Sequence, residues 1–175
     1  LVLLVVGALC LIKANVGKGG DVAGIGDVAV GATVQDFSFK KFEGGETSFS
    51  DFVKNSGAKA VLINFWASWC DACIVEMPSI VNLRNRFKDR GFEVLAINVD
   101  ENPQAVVPKL IDQLKLNFPI ATDTEGQLSD IFDVHAIPLT VIIDKNRKIL
   151  LVQGGERDWN GSDIQRQLEE WLKAL

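Results

Sequence analysis

Two cysteines three residues apart are the part of this sequence best suited to chemistry. Cys70 and Cys73 follow the apolar run 60–66, and a helical pattern begins directly after Cys70. A sulfur at the start of a helix faces unpaired backbone N–H groups and the positive end of the helix dipole. These groups stabilise a thiolate, which is the reactive form of cysteine. The pattern predicts thiol–disulfide exchange, in which Cys70 attacks a partner disulfide and Cys73 resolves the mixed disulfide.

Two carboxylates near the cysteines could adjust this chemistry. Asp71 follows Cys70 directly, and its negative charge would oppose the thiolate and favour a more reducing pair. Alternatively, Asp71 is a first-turn acid stabilised by the helix dipole. Glu76 lies three residues after Cys73 on the same helix face, where it could accept the Cys73 proton. The alternative for Glu76 is a solvated first-turn glutamate, and the residues alone leave both questions open.

The elements that must hold these residues alternate between strands and helices. Strands are predicted at residues 33–39, 47–49, 60–66, 92–99, 118–121, 140–143 and 149–152. Helices are predicted from an N-cap at Ser50, at 71–88 around Pro78, at 103–116 after Asn102, at 125–132, and at 163–175 from an N-cap at Ser162. This order predicts an α/β sheet flanked by helices. Asn64 and Asp100 end up at one edge of that sheet, and we interpret both as structural.

Composition excludes several kinds of function. The 175 residues carry 18 basic and 23 acidic side chains, a net charge of −5, without a basic run, which argues against a nucleic-acid partner. Three cysteines are too few for a disulfide scaffold. The single histidine, His135, could join Cys70 and Cys73 in a copper or zinc site, but a fourth ligand and a second C-x-x-C pair are missing. We therefore predict no metal, and no cofactor beyond the redox-active cysteine pair.

The N-terminal region differs in composition from the rest of the chain. Residues 1–12 form an unbroken apolar run, shorter than the roughly 20 residues that cross a bilayer. We interpret this run as a truncated membrane anchor or a signal segment, with a core helix as the third alternative. Residues 13–30 are rich in glycine and predict a flexible linker. The folded domain is predicted over residues 31–175.

Two motifs resemble those of the thioredoxin superfamily. Residues 69–73 match its W-C-x-x-C motif, and the run Ile137-Pro138-Leu139-Thr140 is similar to its cis-proline loop. The similarity extends from residue 30 to residue 175. It implies a thioredoxin fold, with a central mixed β-sheet flanked by helices and a cis peptide bond before Pro138. It also implies that Trp69, the backbone of Ile137, and Pro138 contact the substrate.

Three further features are similar to the TlpA, ResA and CcmG group of that superfamily. A β-hairpin precedes the first central strand, a helix and a strand are inserted before the cis-proline strand, and residues 73–78 match the pattern C-x-x-E-x-P. The resemblance implies that Glu76 is an active-site acid, since Asn64 stands where thioredoxin has a buried aspartate. Ala72 replaces the usual proline before the second cysteine, so the redox potential is the property that the motif defines least.

The resemblance also implies a location and partners. Members of this group are bacterial, membrane-tethered, extracytoplasmic thiol–disulfide oxidoreductases, mostly reductants, and several act in cytochrome c maturation. We therefore expect a membrane-anchored enzyme that faces the periplasm or extracytoplasmic space. Its expected partners are a disulfide-containing protein substrate and an upstream membrane electron donor of the CcdA type. We expect a monomer, with membrane contact through the N-terminal segment and no contact with nucleic acid.

Other functions compete with this interpretation. A thiol peroxidase of the peroxiredoxin type needs a threonine and a proline where this chain has Ala67 and Ile63. A copper metallochaperone would use Cys70, Cys73 and His135 as ligands. A non-catalytic interaction module is hard to reconcile with an intact cysteine pair. The motif indicates the reaction type but not its direction, because reduction potentials of related proteins span about 150 mV.

Overall fold

The computed structural model describes residues 28–175. The predicted membrane or signal segment 1–12 and most of the predicted linker 13–30 lie outside the described residues. Between residues 28 and 175, no helix combines the length and apolar character needed to cross a membrane.

Seven strands and five helices alternate along the described residues, as the sequence predicts. The strands are β1 (Ser38–Lys41), β2 (Glu46–Ser48), β3 (Ala60–Trp66), β4 (Phe92–Asn98), β5 (Ile120–Thr122), β6 (Leu139–Asp144) and β7 (Ile149–Gly154). The helices are α1 (Phe49–Ser56), α2 (Asp71–Phe87), α3 (Pro103–Leu114), α4 (Gln127–Ile131) and α5 (Ser162–Ala174). The sheet order is β2-β1-β5-β4-β3-β6-β7, in which β3, β4 and β5 are parallel and the other pairs antiparallel. This confirms the predicted mixed sheet with an N-terminal hairpin.

Strand β3 lies in the interior of the sheet because its residues can be buried on both faces. All seven of its side chains are buried, as expected for a strand covered on both sides. Leu62 and Trp66 belong to the core cluster that includes residues of α2, α3 and α5. Ile63 and Phe65 belong to the opposite cluster, which includes residues of α1 and α4. Alternation along one strand therefore supplies both cores.

The register of the sheet brings the two predicted motifs together. Strand β6 runs antiparallel to β3 and pairs Leu139 with Phe65. The cysteine motif begins a few residues after the end of β3, and Pro138 immediately precedes β6. Both motifs consequently lie at the same edge of the sheet, the edge at which the parallel strands end.

Two predicted helix caps were wrong by one or two residues. At α1 the N-cap is Ser48 rather than Ser50, because Oγ of Ser48 accepts the backbone N–H of Asp51 at 3.0 Å. At α5, Ser162 is already the first helical residue, and Gly161 occupies the N-cap position. Where two candidate residues lie close together, only the backbone geometry decides which one caps the helix.

The first predicted strand was too long at its start. Strand β1 begins at Ser38 rather than near residue 33, and Thr33 forms only an isolated bridge with Lys148. This stretch meets the turn after β6 instead of joining the hairpin. The remaining predicted bounds agree with the structure to within two residues.

Candidate active site

The two cysteines form a disulfide at the start of α2. Cys70 is the N-cap residue of the helix, and its Sγ accepts the backbone N–H of Cys73 at 3.2 Å. Their Cα atoms are 5.2 Å apart. Cys70 is 8% exposed, whereas Cys73 is fully buried. Cys70 is therefore the sulfur of the pair that a partner can reach.

The loop that leads to Cys70 is tied to the end of β4 by a buried carboxylate. Asp100 accepts the backbone N–H of Ser68 at 2.9 Å and its hydroxyl at 2.7 Å. The side-chain amide of Asn98 donates to the same carboxylate at 2.7 Å. Hydrogen bonds to a charged acceptor are among the stronger ones in proteins. Asp100 therefore has the structural role that the sequence predicts, because it holds the chain just before the reactive sulfur.

The residues expected to contact substrate come from two segments. Trp69 directly precedes Cys70 and is 69% exposed, which is unusual for a large aromatic side chain. The Ile137–Pro138 peptide bond is cis, as the resemblance implies. Ile137 is half-buried and Pro138 is buried at the start of β6. An exposed apolar side chain beside a reachable sulfur offers a partner protein a surface to cover.

Glu76 lies inside the protein rather than in solvent. It is 2% exposed, in the second turn of α2. Its Oε1 accepts Nδ2–H of Asn64 at 2.8 Å, and its Oε2 accepts the backbone N–H of Arg157 and the indole N–H of Trp159, both at 3.3 Å. The alternative of a solvated first-turn glutamate is therefore wrong.

The surroundings of Glu76 have opposing effects on its ionisation. Burial raises the pKa of Glu76 above its ordinary value of 4.5, because the charged form loses water. Hydrogen bonds from Asn64, Trp159 and the backbone of Arg157 act the other way, and the negative charge of Glu156 adds slightly to the rise. A carboxylate whose pKa lies above its ordinary range is a better proton acceptor near neutral pH.

Three neighbours of Glu76 were not predicted as parts of the site. Asn64 was interpreted as structural, yet its side-chain amide donates to the carboxylate of Glu76. Asn64 is the one polar residue of the buried strand β3, and this could have indicated a place in the site. Arg157 and Trp159 lie more than 80 residues further along the chain, in the loop 155–161 between β7 and α5. No spacing rule connects that loop with α2, so only the fold could reveal the contact.

The remaining predicted residues lie near the surface. Asp71 is exposed in the first turn of α2, and Ala72 beside it is half-buried. The side chain of His135 is 83% exposed and its Nε2 lies 3.0 Å from Oδ1 of Asp133. Across residues 28–175 no three His, Cys, Asp or Glu side chains are grouped so that they could hold a metal ion. The copper hypothesis required His135 to join the two cysteines, and the structure does not bring them together.

Comparison of the sequence with known proteins gives consistent matches. The AhpC/TSA family matches over residues 30–152. The thiol-disulfide oxidoreductase ResA of Geobacillus kaustophilus (strain HTA426) is 37% identical over 142 residues, which cover 81% of this chain and 78% of that protein. The thiol-disulfide oxidoreductase ResA of Bacillus subtilis (strain 168) is 32% identical over 133 residues, which cover 76% of this chain and 72% of that protein.

Solved structures share the same fold. A thiol:disulfide interchange protein, DsbE, from Chlorobium tepidum matches with a TM-score of 0.72 and 28% identity, covering 83% of this chain and 99% of that one. StoA from Bacillus subtilis matches with a TM-score of 0.60 and 26% identity, covering 80% of this chain and 98% of that one. These similarities confirm the predicted thioredoxin fold.

Proposed function

This chain belongs to the AhpC/TSA family, and we propose that it reduces disulfide bonds of partner proteins on the outer side of a bacterial membrane. It is a thiol–disulfide oxidoreductase similar to the ResA proteins. The observation that carries the proposal is the combination, on one helix, of a reachable sulfur and a buried carboxylate. Cys70 caps α2 at its solvent side, and Glu76 lies buried in the next turn.

The reaction is a two-electron exchange that begins from the reduced cysteine pair. The thiolate of Cys70 attacks one sulfur of the partner disulfide, and a mixed disulfide forms as the first partner thiolate leaves. Cys73 then loses its proton and attacks Sγ of Cys70, which releases the second partner thiolate. The Cys70–Cys73 disulfide seen in the structure is the oxidised product. The two protons of the cysteine pair end on the two partner thiols.

Glu76 acts in the second half of this exchange as the acceptor of the Cys73 proton. Cys73 is fully buried, so water reaches its thiol poorly and a proton acceptor inside the protein is needed. Glu76 follows Cys73 by three residues on the same face of α2. Its raised pKa suits a group that takes up a proton and later returns it near neutral pH.

The substrate binds across the surface that surrounds Cys70. Trp69 supplies an exposed aromatic side chain, and the backbone of Ile137 with Pro138, at the same edge of the sheet, supplies the second contact. An extended peptide can pair with backbone groups at such a position, while an aromatic side chain covers the apolar residues beside its disulfide.

The direction of exchange is assigned as reduction of the partner. The carboxylate of Asp71 lies one residue from Cys70 and disfavours accumulation of negative charge on its sulfur. A less stable thiolate makes the dithiol a stronger reductant. Ala72 loosens the turn that proline would restrict in other members of the group, and its effect is on the potential rather than on the reaction.

The location and partners follow from the apolar start of the chain and from the resemblance. Residues 1–12 serve as a membrane anchor or signal segment, and residues 13–30 as a glycine-rich linker to the domain at 31–175. The domain works as a monomer in the periplasm or extracytoplasmic space. It receives electrons from a membrane donor of the CcdA type and passes them to disulfide-containing proteins, with apocytochrome c as one candidate substrate. No metal or organic cofactor takes part beyond the cysteine pair.

A disulfide reduction assay tests the reaction directly. Wild-type protein, insulin as the disulfide substrate and dithiothreitol as the electron source should give turnover well above that of dithiothreitol alone. Cys70→Ser should abolish turnover, and Cys73→Ser should stop the reaction at a mixed disulfide that gel electrophoresis detects without reductant. Absence of turnover in the wild type would contradict the proposed function.

Two glutamate variants test the proton acceptor. Glu76→Gln should slow release of the partner from the mixed disulfide by about 10²-fold or more, the usual contribution of a general base. Glu170→Gln, an exposed position on α5, is the matched control and should behave as the wild type. Equal release rates for the two variants would remove Glu76 from the mechanism while leaving the oxidoreductase assignment intact.

A further inference from the structure

The carboxylate of Glu76 is surrounded by donors that come from separate parts of the fold. Asn64, on β3, donates to Oε1 at 2.8 Å. The backbone N–H of Arg157 and the indole N–H of Trp159, both in the β7–α5 loop, donate to Oε2 at 3.3 Å. Each oxygen is therefore held by a different element, so the carboxylate cannot rotate without losing bonds on both sides.

All three of these groups are hydrogen-bond donors, which matches the ionised form of Glu76. An ionised carboxylate only accepts hydrogen bonds, whereas a protonated one must also donate. Burial of a charge without such donors is strongly unfavourable. The surroundings of Glu76 are consequently those of a carboxylate that remains available to take up a proton.

The orientation of Asn64 supports the same conclusion. Its Nδ2 group donates both to Glu76 and to Oγ1 of Thr140 at 3.0 Å. Its Oδ1 is buried and has no hydrogen-bond partner within residues 28–175. A buried oxygen without a partner is costly. The amide adopts this orientation because both of its N–H groups are used, and one of them is used on Glu76.

Trp159 is held in place by α2 itself. It is fully buried, and its backbone N–H donates to Oγ of Ser79 at 3.0 Å. The Ser79 hydroxyl in turn donates to the carbonyl of Glu76 at 2.7 Å. The guanidinium of Arg157 lies 5.1 Å from the centre of the Trp159 ring. The indole N–H is thus fixed relative to the helix turn that carries Glu76.

We propose that Asn64 and Trp159 are positioning residues for thiol–disulfide exchange, which hold the two oxygens of Glu76 so that its carboxylate stays in one orientation and able to accept the Cys73 proton. This inference rests on the proposed role of Glu76. Neither Asn64 nor Trp159 contacts the substrate, and both act through Glu76 alone.

Other charges around Glu76 also enter its titration and must be kept constant. Glu156, in the same loop as Trp159, adds a repelling negative charge. The guanidinium of Arg157 is paired with Asp163 at the start of α5. Cys73, three residues earlier on α2, carries the proton that Glu76 is proposed to accept, while β3 and β6 contribute the uncharged side chains of Asn64 and Thr140. Variants at Asn64 and Trp159 leave all of these charges unchanged.

The test is the pH dependence of partner release from the mixed disulfide in the full chain. Asn64→Leu keeps the branched shape of the side chain and removes the donor to Oε1, so the midpoint of the acid limb, over which release slows as Glu76 is protonated, should move to higher pH by about one unit. Trp159→Phe keeps an aromatic ring and removes the indole N–H, and should move the limb in the same direction by about half a pH unit, since its bond is longer. Trp171→Phe, on α5, is the matched control and should not move it.

Two further measurements separate positioning from loss of packing. In a Glu76→Gln background, Asn64→Leu should leave the remaining pH profile unchanged, because the group through which it acts is absent. In ¹⁵N spectra of the wild type, the indole resonance of Trp159 should shift with the same midpoint as the acid limb, whereas that of Trp171 should stay constant. If Asn64→Leu does not fold, Trp159→Phe and the indole titration still decide the question.

The pH profiles separate a failure of the positioning roles from a failure of the proposed role of Glu76. An acid limb that is lost in Glu76→Gln but stays at the wild-type pH in both Asn64→Leu and Trp159→Phe would overturn the positioning roles and leave the role of Glu76 standing. A limb that does not respond to Glu76→Gln would instead overturn the proposed function of Glu76, and the positioning roles with it.

Discussion

On one side of β3, aromatic side chains pack against each other beneath α1. The ring of Phe37 lies 5.1 Å from that of Phe49 and 5.2 Å from that of Phe132, and Phe65 of β3 lies 5.5 Å from Phe132. We call these four residues the aromatic face. On the other side of the same strand, Asn64 shares the core beneath α2 with Glu76, Ser79 and Trp159, which we call the reactive face.

The difference between the two faces shows how one strand can serve both stability and chemistry. The aromatic face gains its free energy from burial and ring contacts, with no polar group to satisfy. The reactive face buries a carboxylate, which costs free energy, and offsets part of that cost with hydrogen bonds. Substitutions on the aromatic face should change stability more than chemistry, and substitutions on the reactive face should do the opposite.

The largest expected effect on stability belongs to the aromatic face. Phe49 is fully buried at the start of α1, and Phe49→Ala should lower the free energy of unfolding by about 3–5 kcal/mol, because a large cavity replaces the ring. Urea denaturation measures this loss. The rate of disulfide reduction per folded molecule should stay at the wild-type value, and a proportional fall in that rate would break the division between the faces.

The second effect is on the pH dependence of stability, which Glu76→Gln should change while it slows exchange. The pKa of Glu76 is raised in the folded state, so the folded protein holds this proton more tightly than the unfolded chain does. Wild-type stability should therefore fall as the pH rises from 4.5 through the folded pKa, and then level off.

The stability of Glu76→Gln relative to the wild type should follow the reverse course. The free energy of unfolding of the variant minus that of the wild type should increase as the pH rises from 4.5 through the folded pKa, and should be level well below pH 4.5, where both the folded and the unfolded wild type are protonated. Thermal or urea unfolding of both proteins across this pH range measures the difference. A difference that decreases over this pH range would show that the donors around Glu76 outweigh its burial.

A smaller effect is expected at the exposed residue that precedes Cys70. Trp69→Ala should weaken binding of a protein substrate by about 1–2 kcal/mol, since an exposed aromatic side chain is a typical anchor for a partner. The free energy of unfolding should change by less than about 0.5 kcal/mol, because the ring has few contacts to lose. The ratio of activities on insulin and on a small disulfide compound separates the two effects, and an equal loss on both substrates would contradict a docking role.

The smallest effect is expected from the neighbour of Cys70. Asp71→Asn removes an exposed negative charge from the first turn of α2, and should raise the reduction potential of the cysteine pair by on the order of 10 mV, since exposed charges are screened. Equilibration with glutathione buffers at low salt measures the shift, and added salt should reduce it. Absence of a shift at low salt would favour the alternative in which Asp71 is only a first-turn acid stabilised by the helix dipole, and a shift toward a more negative potential would contradict the expected effect of its charge.

Much of this molecule could be predicted from local patterns. The apolar run of β3, the helix after Cys70 and the edge at which Pro138 meets the cysteines follow from periodicity, length and the resemblance of two motifs. Each of these depends on residues close together in sequence, or on a motif with a fixed place in the fold. The strand and helix types were accordingly correct, and errors were confined to caps and strand ends.

The interior of the reactive face could be predicted only in part. Glu76 was placed on the correct helix face, but its burial depends on the loop 155–161 folding over α2, which no local pattern expresses. The contact of Asn64 with Glu76 requires knowing that β3 presents that residue toward α2. Contacts across more than 80 residues of chain are set by tertiary packing, and a single sequence carries no mark of them.

The reduction potential of the Cys70–Cys73 pair decides whether this protein reduces the disulfides of its partners. The wild-type protein would be equilibrated with dithiothreitol buffers at pH 7, and the fraction of reduced protein would be measured by thiol labelling. We expect a potential close to that of thioredoxin, about −270 mV, as for a reductant of partner disulfides. A potential near that of protein disulfide isomerase, about −180 mV, or higher, would contradict it and assign the chain to disulfide formation or isomerisation.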